Sequence, residues 1–321
     1  MACRLTYRRA ATVVAVALML ACASLLVACG GSSGGSGGSG DPNSGESTTS
    51  GPAYSVPGSV ALVAFNEGAA QTGNECAIDT SQLAQGVVGA SARSDARLKF
   101  QVVKGEMSYN YDLPGDGTPI IVPINMGDGP YTFRVMQNTS GNNYVELFSV
   151  IDNVNLSSET APFLVPNMFV NYNESSAVVA KARELAQGAA NQGDVVRNIY
   201  QWVVDNITYD HDKAAQLASA TGYVPDPDAT LASGTGICFD YASLGAAMLR
   251  SLGIPCQVIT GYVSPDDVYH AWNMVYIDGE WISVEISIKP NSWTRVDLTF
   301  AASGAASTIG DGTSYTDRYT Y

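Results

Sequence analysis

The stretch that decides the fold reads Gly-Thr-Gly-Ile-Cys-Phe-Asp-Tyr-Ala and spans residues 234–242. Its two glycines, Gly234 and Gly236, let the chain reach a helix start, and apolar residues then recur at helical spacing over residues 241–252. We therefore predict a helix that has Cys238 in its first turn. The partial positive charge at a helix N-terminus stabilises a thiolate, which is the nucleophilic form of cysteine. Cys238 is accordingly the candidate nucleophile.

A later stretch supplies the candidate base, His270. It opens an apolar run that ends at Asp278-Gly279, a dipeptide that favours a two-residue type I′ hairpin turn. That turn pairs Ile277 with Glu280, and it places Glu285 on the same face as His270 and diagonal to it, within reach of a long side chain. A carboxylate there would orient the imidazole and stabilise its charged form. The alternative carboxylate, Asp278, lies in the turn, far along the strand from the histidine.

These motifs together resemble the transglutaminase-like superfamily. The resemblance rests on Gly-x-Cys-x-x-Tyr-Ala around Cys238, Leu-Gly-Ile-Pro-Cys at residues 252–256 and His-Ala-Trp-Asn at residues 270–273, and it extends upstream over residues 199–210. It implies an α+β fold with a papain-like core, in which a helix bearing the cysteine packs on an antiparallel sheet bearing histidine and aspartate. By this resemblance Cys238 is the nucleophile and His270 the base. Glu285 stands where the family usually has Asp.

Three further residues are candidates to line the cleft, namely Tyr209, His211 and Trp272. Tyr209 either packs in the core or lines the cleft. His211 stands between two aspartates and is interpreted as a solvated loop residue, with substrate contact as the alternative. We predict no metal and no cofactor, because the chain has two histidines and no CxxC or HExxH motif. An EF-hand-type loop is also missing from the sequence, so calcium is not implied.

The cysteines leave an open alternative. Three of them, Cys76, Cys238 and Cys256, fall in the predicted folded part, so at least one is a free thiol or pairs between molecules. A Cys238–Cys256 disulfide would abolish the chemistry. We interpret Cys256 instead as a core thiol at the start of a strand, and Cys76 as unreactive because its context is neither helical nor basic.

The N-terminus predicts export. Arg4, Arg8 and Arg9 precede an apolar run over residues 10–28, as in a signal peptide. The run ends in Leu-Val-Ala-Cys29, which resembles the lipobox of bacterial lipoproteins and implies lipid attachment at Cys29. Cys22 is the rival lipid site, and an uncleaved transmembrane anchor is the alternative to both. The sequence therefore predicts an extracytoplasmic, membrane-anchored lipoprotein of the bacterial cell surface.

Four regions follow from composition and pattern: a signal peptide at residues 1–29, a Gly/Ser-rich tether at 30–57, a β-rich domain at 58–165, and a transglutaminase-like catalytic domain at 166–321. The β-rich domain contains six predicted strands, at Ser59–Phe65, Leu98–Val103, Met107–Tyr111, Pro119–Ile124, Tyr131–Gln137 and Tyr144–Val154. Its sequence displays no titratable cluster, which favours a structural or substrate-positioning role. Helices are predicted at 177–190 and 194–207, and strands at 257–263, 270–277, 281–288 and near the C-terminus.

Composition limits the partners. Acidic residues outnumber basic ones by 30 to 16, for a net charge of −14, so nucleic acid is repelled. The predicted partners are a peptide or protein substrate, including cell-wall peptide, and a membrane reached through the N-terminal lipid. The oligomeric state is not predicted.

The predicted reaction is acyl transfer. The Cys238 thiolate would attack an amide carbonyl, His270 would take and return a proton, and a thioester would form. Water as the second nucleophile makes the protein a peptidase or amidase, which we favour. A lysine amine would make it a protein-crosslinking transglutaminase, and a non-catalytic surface binding module is the remaining alternative.

Overall fold

A computed structural model describes residues 51–218, 220–263, 268–282 and 315–321. These residues belong to a single compact unit that extends from Glu46 to Tyr321. The predicted lipid site Cys29 and the predicted third catalytic residue Glu285 lie outside the described residues. Within the described part, the helices are too short or too polar to cross a membrane.

The N-terminal part contains two antiparallel sheets. One has the strand order β1-β2-β3-β6 and the other β5-β4-β7-β8. Their bounds are β1 Gln71–Gly73, β2 Cys76–Asp79, β3 Val87–Ala92, β4 Leu98–Lys104, β5 Met107–Leu113, β6 Ile120–Pro123, β7 Gly129–Ser140 and β8 Asn143–Val154. Alternating residues of β4 (Leu98, Phe100 and Val102) are buried in the core between these strands, as a half-buried strand requires.

Five of the six predicted strands in this part are confirmed as β4 to β8. The predicted strand Ser59–Phe65 is wrong, because this segment packs as irregular chain. Val60 is buried against the helical core and its N–H donates to the Glu174 carboxylate at 3.1 Å, while Phe65 covers Gly89. Side chains therefore hold the segment where a strand ladder was expected. Strands β1 to β3 were not predicted.

The C-terminal part begins with helices. Their bounds are α1 Ala177–Leu185, α2 Gln192–Asn206, α3 His211–Leu217, α4 Pro227–Ser233 and α5 Cys238–Ser251. Helices α1, α2 and α5 confirm the predicted helical segments, whereas α3 corrects the prediction of a loop at His211. The Asp210 side chain accepts a hydrogen bond from the Lys213 N–H at 2.8 Å, and this N-cap starts α3 one residue later.

Another antiparallel sheet, in the C-terminal part, supports α5. It has the order β13-β12-β11-β14, with bounds β11 Cys256–Val263, β12 Val268–Ile277, β13 Glu280–Ile282 and β14 Tyr315–Thr320. Residues of α5 such as Leu244 and Met248 share one buried core with Val258 and Val275 of the sheet. The fold is thus α+β, with a helix bearing the cysteine packed on an antiparallel sheet bearing the histidine, and a β-rich region before it.

The hairpin between β12 and β13 has the predicted register. Ile277 pairs with Glu280, and Tyr276 pairs with Trp281. Asp278 and Gly279 both have positive φ angles, 55° and 86°, which is the requirement of a type I′ turn. Glu285 lies outside the described residues, so its place diagonal to His270 stays a prediction.

Candidate active site

The chain reaches the start of α5 through a short parallel pairing. β9 (Thr208–Tyr209) pairs with β10 (Thr235–Gly236), and the Asp210 N–H donates to the Gly236 carbonyl at 2.9 Å. A Cβ on Gly236 would lie 2.7 Å from the Cβ of Asp240, so only glycine fits at this approach. Cys238 follows as the first residue of α5 and is half-buried, as the sequence predicts.

Asp240 organises this helix start. Its carboxylate is buried and accepts a hydrogen bond from the Ile237 N–H at 2.8 Å, which satisfies one of the unpaired N–H groups of the first turn. The Lys213 Nζ lies 2.6 Å from Asp240 Oδ2, the same oxygen that accepts from Ile237. The Tyr223 hydroxyl donates to the other oxygen, Oδ1. The cluster was not predicted, although an acidic residue three positions after a helix N-cap is a signal that could have identified Asp240 itself.

His270 lies on β12 beside β11, where it pairs with Gly261. The residue is 6% exposed, and its ring stacks on Trp272 with centroids 6.5 Å apart. The neighbouring Tyr269 donates a hydrogen bond to the Thr260 hydroxyl at 2.8 Å. The imidazole is therefore held between packed neighbours at the strand end nearest the groove described next.

A groove of about 600 Å³ brings the two predicted catalytic residues together, because Cys238 and His270 both line it. Its walls come from three parts of the chain: Met168, Phe169 and the β4–β5 hairpin; the residues between Ala214 and Val224; and the sheet with Thr260, Tyr269, Ala271 and Tyr321. The groove is open, has apolar and aromatic walls, and contains a candidate nucleophile and a candidate base. This is the composition expected of a substrate site.

Of the three predicted cleft residues, Tyr209 lines the groove. Burial first, and then the negative charges that Cys238 and Asp240 can carry, raise the pKa of the Tyr209 phenol, so it stays a protonated hydrogen-bond donor near the thiol. His211 is exposed at the start of α3, and the centroid of its ring lies 4.9 Å from that of the Tyr209 ring. Trp272 is buried with Ile259. Neither His211 nor Trp272 is among the described residues that line the groove.

The β-rich part contains a titratable cluster, which corrects the prediction that it has none. The Lys99 Nζ lies 2.8 Å from Asp112 Oδ1, and the Arg97 Nη2 lies 3.1 Å from the same atom. Lys99 and Asp112 line the groove. They are separated along the chain, and only the antiparallel pairing of β4 with β5 places them opposite each other.

The other two cysteines are buried, and all three of Cys76, Cys238 and Cys256 carry free thiols. Cys256 is a core thiol, as predicted, and burial raises its pKa to about 12. Burial first, and then the charge of Glu75, raise the pKa of Cys76. A Cys238–Cys256 disulfide is not formed.

Residues 179–286 match the model of the transglutaminase-like superfamily. The chain is 25% identical over 199 residues to a UPF0252 protein of Methanocaldococcus jannaschii, which covers 59% of this chain and 54% of that protein. It is 31% identical over 112 residues to the kyphoscoliosis peptidase of Mus musculus, covering 32% of this chain and 16% of that protein.

Among solved structures, the red sea bream transglutaminase is 15% identical to this chain with a TM-score of 0.28, covering 66% of this chain and 48% of that one. The chain spans about half the length of the archaeal relative and a sixth of the mouse relative. Cys238 and His270 both fall within the matched residues 179–286.

Proposed function

We propose that this protein is a cysteine enzyme that cleaves amide bonds in peptides through a thioester intermediate, at the cell surface and held there by lipid on Cys29. The observation that carries the proposal is the shared groove, in which Cys238 at the first residue of α5 and His270 on β12 line one open surface. The match to the transglutaminase-like superfamily and the similarity to a protein named as a peptidase support it.

The mechanism follows from these positions. The Cys238 sulfur attacks the amide carbonyl carbon, and His270 accepts the thiol proton and returns it to the leaving amine. The thioester is then attacked by water, which restores the thiol and releases an acid. Backbone N–H groups of the first turn of α5, which have no partner within the helix, are the proposed donors to the oxygen that becomes negative. Glu285 is the proposed third residue and would orient the His270 imidazole.

Alkylation tests the activated thiol. We expect an iodoacetamide probe at mildly acidic pH to label Cys238 selectively, because Cys76 and Cys256 are buried thiols with raised pKa values. His270→Ala should slow this labelling at least tenfold, and Cys76→Ser is the matched control that should leave it unchanged. The labelled position is read by mass spectrometry of the digested protein.

Two outcomes would contradict the proposal: labelling of Cys238 no faster than that of the buried thiols, or labelling that His270→Ala leaves unchanged. Circular dichroism of His270→Ala separates a lost base from a lost fold. A peptide-cleavage assay run beside incorporation of a fluorescent primary amine identifies the second nucleophile. Incorporation without cleavage would establish a transglutaminase, and neither activity together with normal labelling would favour the binding module.

A further inference from the structure

The groove at Cys238 continues beyond the catalytic core. A second depression, of about 360 Å³, shares three of its lining residues with the groove: Lys99, Asn110 and Thr221. Its other lining residues are Arg97, Gln101, Met136, Asn142 and Tyr144. One continuous surface therefore runs from the proposed nucleophile onto the outer face of the sheet β5-β4-β7-β8.

The strand pattern makes this face polar. Because side chains alternate along β4, the burial of Leu98, Phe100 and Val102 leaves Lys99 and Gln101 on the opposite face. The Gln101 amide donates to the Asn110 side-chain oxygen across the β4–β5 pair at 3.0 Å. From position 97 to position 101 a strand advances about 13 Å, which is the length of about four residues of an extended peptide.

The charge of the second depression is opposite to that of the protein. Among the described residues that line it, Arg97 and Lys99 are cationic and none is acidic, whereas the whole chain has a net charge of −14. Both cations contact the single carboxylate of Asp112. Burial alone would raise the pKa of Asp112, but its bonds to Lys99 and Arg97 outweigh burial and lower it, so one positive charge is compensated and one is left over.

We propose that the substrate is an extended polypeptide with an acidic side chain several residues from the bond that is attacked, and that Arg97 and Lys99 bind this carboxylate. The guanidinium of Arg97 contacts Asp112 through Nε and Nη2, so in the proposed complex its Nη1 donates to the substrate carboxylate. Side-chain amides of Gln101 and Asn110 are positioned for the backbone of the same peptide. This inference rests on the proposed function and names its substrate class.

A protection assay tests the charge preference without requiring turnover. The probes are twelve-residue peptides of neutral Ala/Ser/Gly sequence, in which a single Glu is moved position by position, each matched with a Gln counterpart. We expect that, with Glu at one particular position, the peptide slows iodoacetamide labelling of Cys238 at a concentration about tenfold lower than the matched Gln peptide needs. A tenfold difference in affinity is what one charge-assisted contact contributes. The preference should weaken as salt rises.

Variants assign the preference to this surface. The Arg97 side chain is half exposed, so it can be replaced without disturbing the core. Arg97→Gln should reduce the Glu preference while Lys99 and Asp112 stay paired. Arg97→Glu should invert it, so that a Lys peptide protects better than the Glu peptide, a gain that misfolding cannot produce. Lys181→Gln removes a cation on α1 that pairs with Glu184, and as the control it should leave the preference unchanged.

Equal protection by Glu and Gln peptides at every position, or a Glu preference that persists in both Arg97 variants, would overturn the inference. Its failure can be told apart from failure of the proposed function. If peptides are cleaved without any charge preference, only the inference of an acidic substrate is refuted. If peptides protect Cys238 with a Glu preference but are never cleaved or transferred, only the proposed catalytic function is refuted.

Discussion

At the scale of single residues, Arg250 shows how the fold stabilises a buried charge. Its side chain is 1% exposed and donates to three main-chain carbonyls, those of Cys256 at 2.8 Å, Val165 at 3.0 Å and Tyr321 at 2.8 Å. The carbonyls belong to the sheet, to the segment that follows the β-rich part and to the last residue. A planar guanidinium has five donors in a fixed fork and can serve all three.

Replacing Arg250 with Lys keeps the charge but loses the fork. An ammonium on a flexible stem cannot reach all three carbonyls, so at least one buried carbonyl loses its partner. We expect the free energy of unfolding to fall by about 1–3 kcal/mol, measured by urea denaturation. The control is Arg183→Lys, in a partly exposed pair with Glu174 at 2.7 Å, which should leave stability unchanged. An equal loss in both variants would contradict this account.

At the scale of elements, one carboxylate connects α3 to the start of α5. All side chains of α3 are exposed or half-buried, so packing contributes little to holding it. Asp240 provides the connection through Lys213 on α3 and Tyr223 in the following segment, and the Lys213 ammonium also lies 4.8 Å from the centroid of the Tyr223 ring. This cluster positions the groove wall between Ala214 and Val224 relative to Cys238.

Asp240→Asn tests that connection, because an amide of nearly the same shape lacks the negative charge. We expect faster amide hydrogen exchange in peptides covering residues 211–224, and a rise in KM larger than the fall in kcat, since the groove wall loosens while His270 is untouched. Asp212→Asn, at an exposed position on α3, is the matched control. Unchanged exchange in the Asp240 variant would refute the connection.

The same cluster predicts a pH response. Burial alone would lower the pKa of Lys213, but its hydrogen bonds to Asp240 and Tyr223 outweigh burial and raise it. Burial and the bond to Asp240 raise the pKa of Tyr223 to about 12. Both groups bind protons more tightly in the folded state, so their stabilisation is complete below about pH 10 and is lost as pH rises through the folded values. The protection of residues 211–224 against exchange, taken relative to the intrinsic rate at each pH, should therefore fall above pH 10 in the unmodified protein.

At the scale of the whole molecule, Tyr321 joins the two cores beside the groove. Its ring lies 4.6 Å from that of Phe169, 6.1 Å from Tyr109 and 6.4 Å from Phe239, and it packs against both the β-rich and the helical core. Phe239 directly follows Cys238, the proposed nucleophile. The groove wall is thus part of the junction, and a substrate bound there contacts both parts of the protein.

The proposed lipid anchor is a prediction about where this molecule works. We expect the full chain to partition into the detergent phase after expression in a bacterium, and Cys29→Ser to move to the aqueous phase because no acyl chain is attached. Cys22→Ser is the control for the rival site and should stay in the detergent phase. If Cys29→Ser remains there as well, the apolar N-terminal run is an uncleaved anchor.

Local sequence was sufficient for the features that depend on neighbouring residues. Helical spacing after Cys238 predicted the start of α5, and Asp278-Gly279 predicted the hairpin register, because periodicity and turn chemistry act over a few residues. Local pattern failed at Ser59–Phe65, where side-chain contacts to distant residues replaced a strand ladder, and at His211, where the Asp210 cap made a helix.

Tertiary structure decided which distant residues meet. Asp240 accepts a hydrogen bond from Lys213, which is 27 residues away in the sequence. Arg250 donates to the Val165 carbonyl, which is 85 residues away. The pairing of β4 with β5 places Lys99 opposite Asp112. Nothing in the spacing of these residues marks them as partners, since their contacts depend on burial and on how strands and helices pack. The candidate nucleophile and candidate base could be proposed from sequence, whereas the charged face beside them exists only in the folded chain.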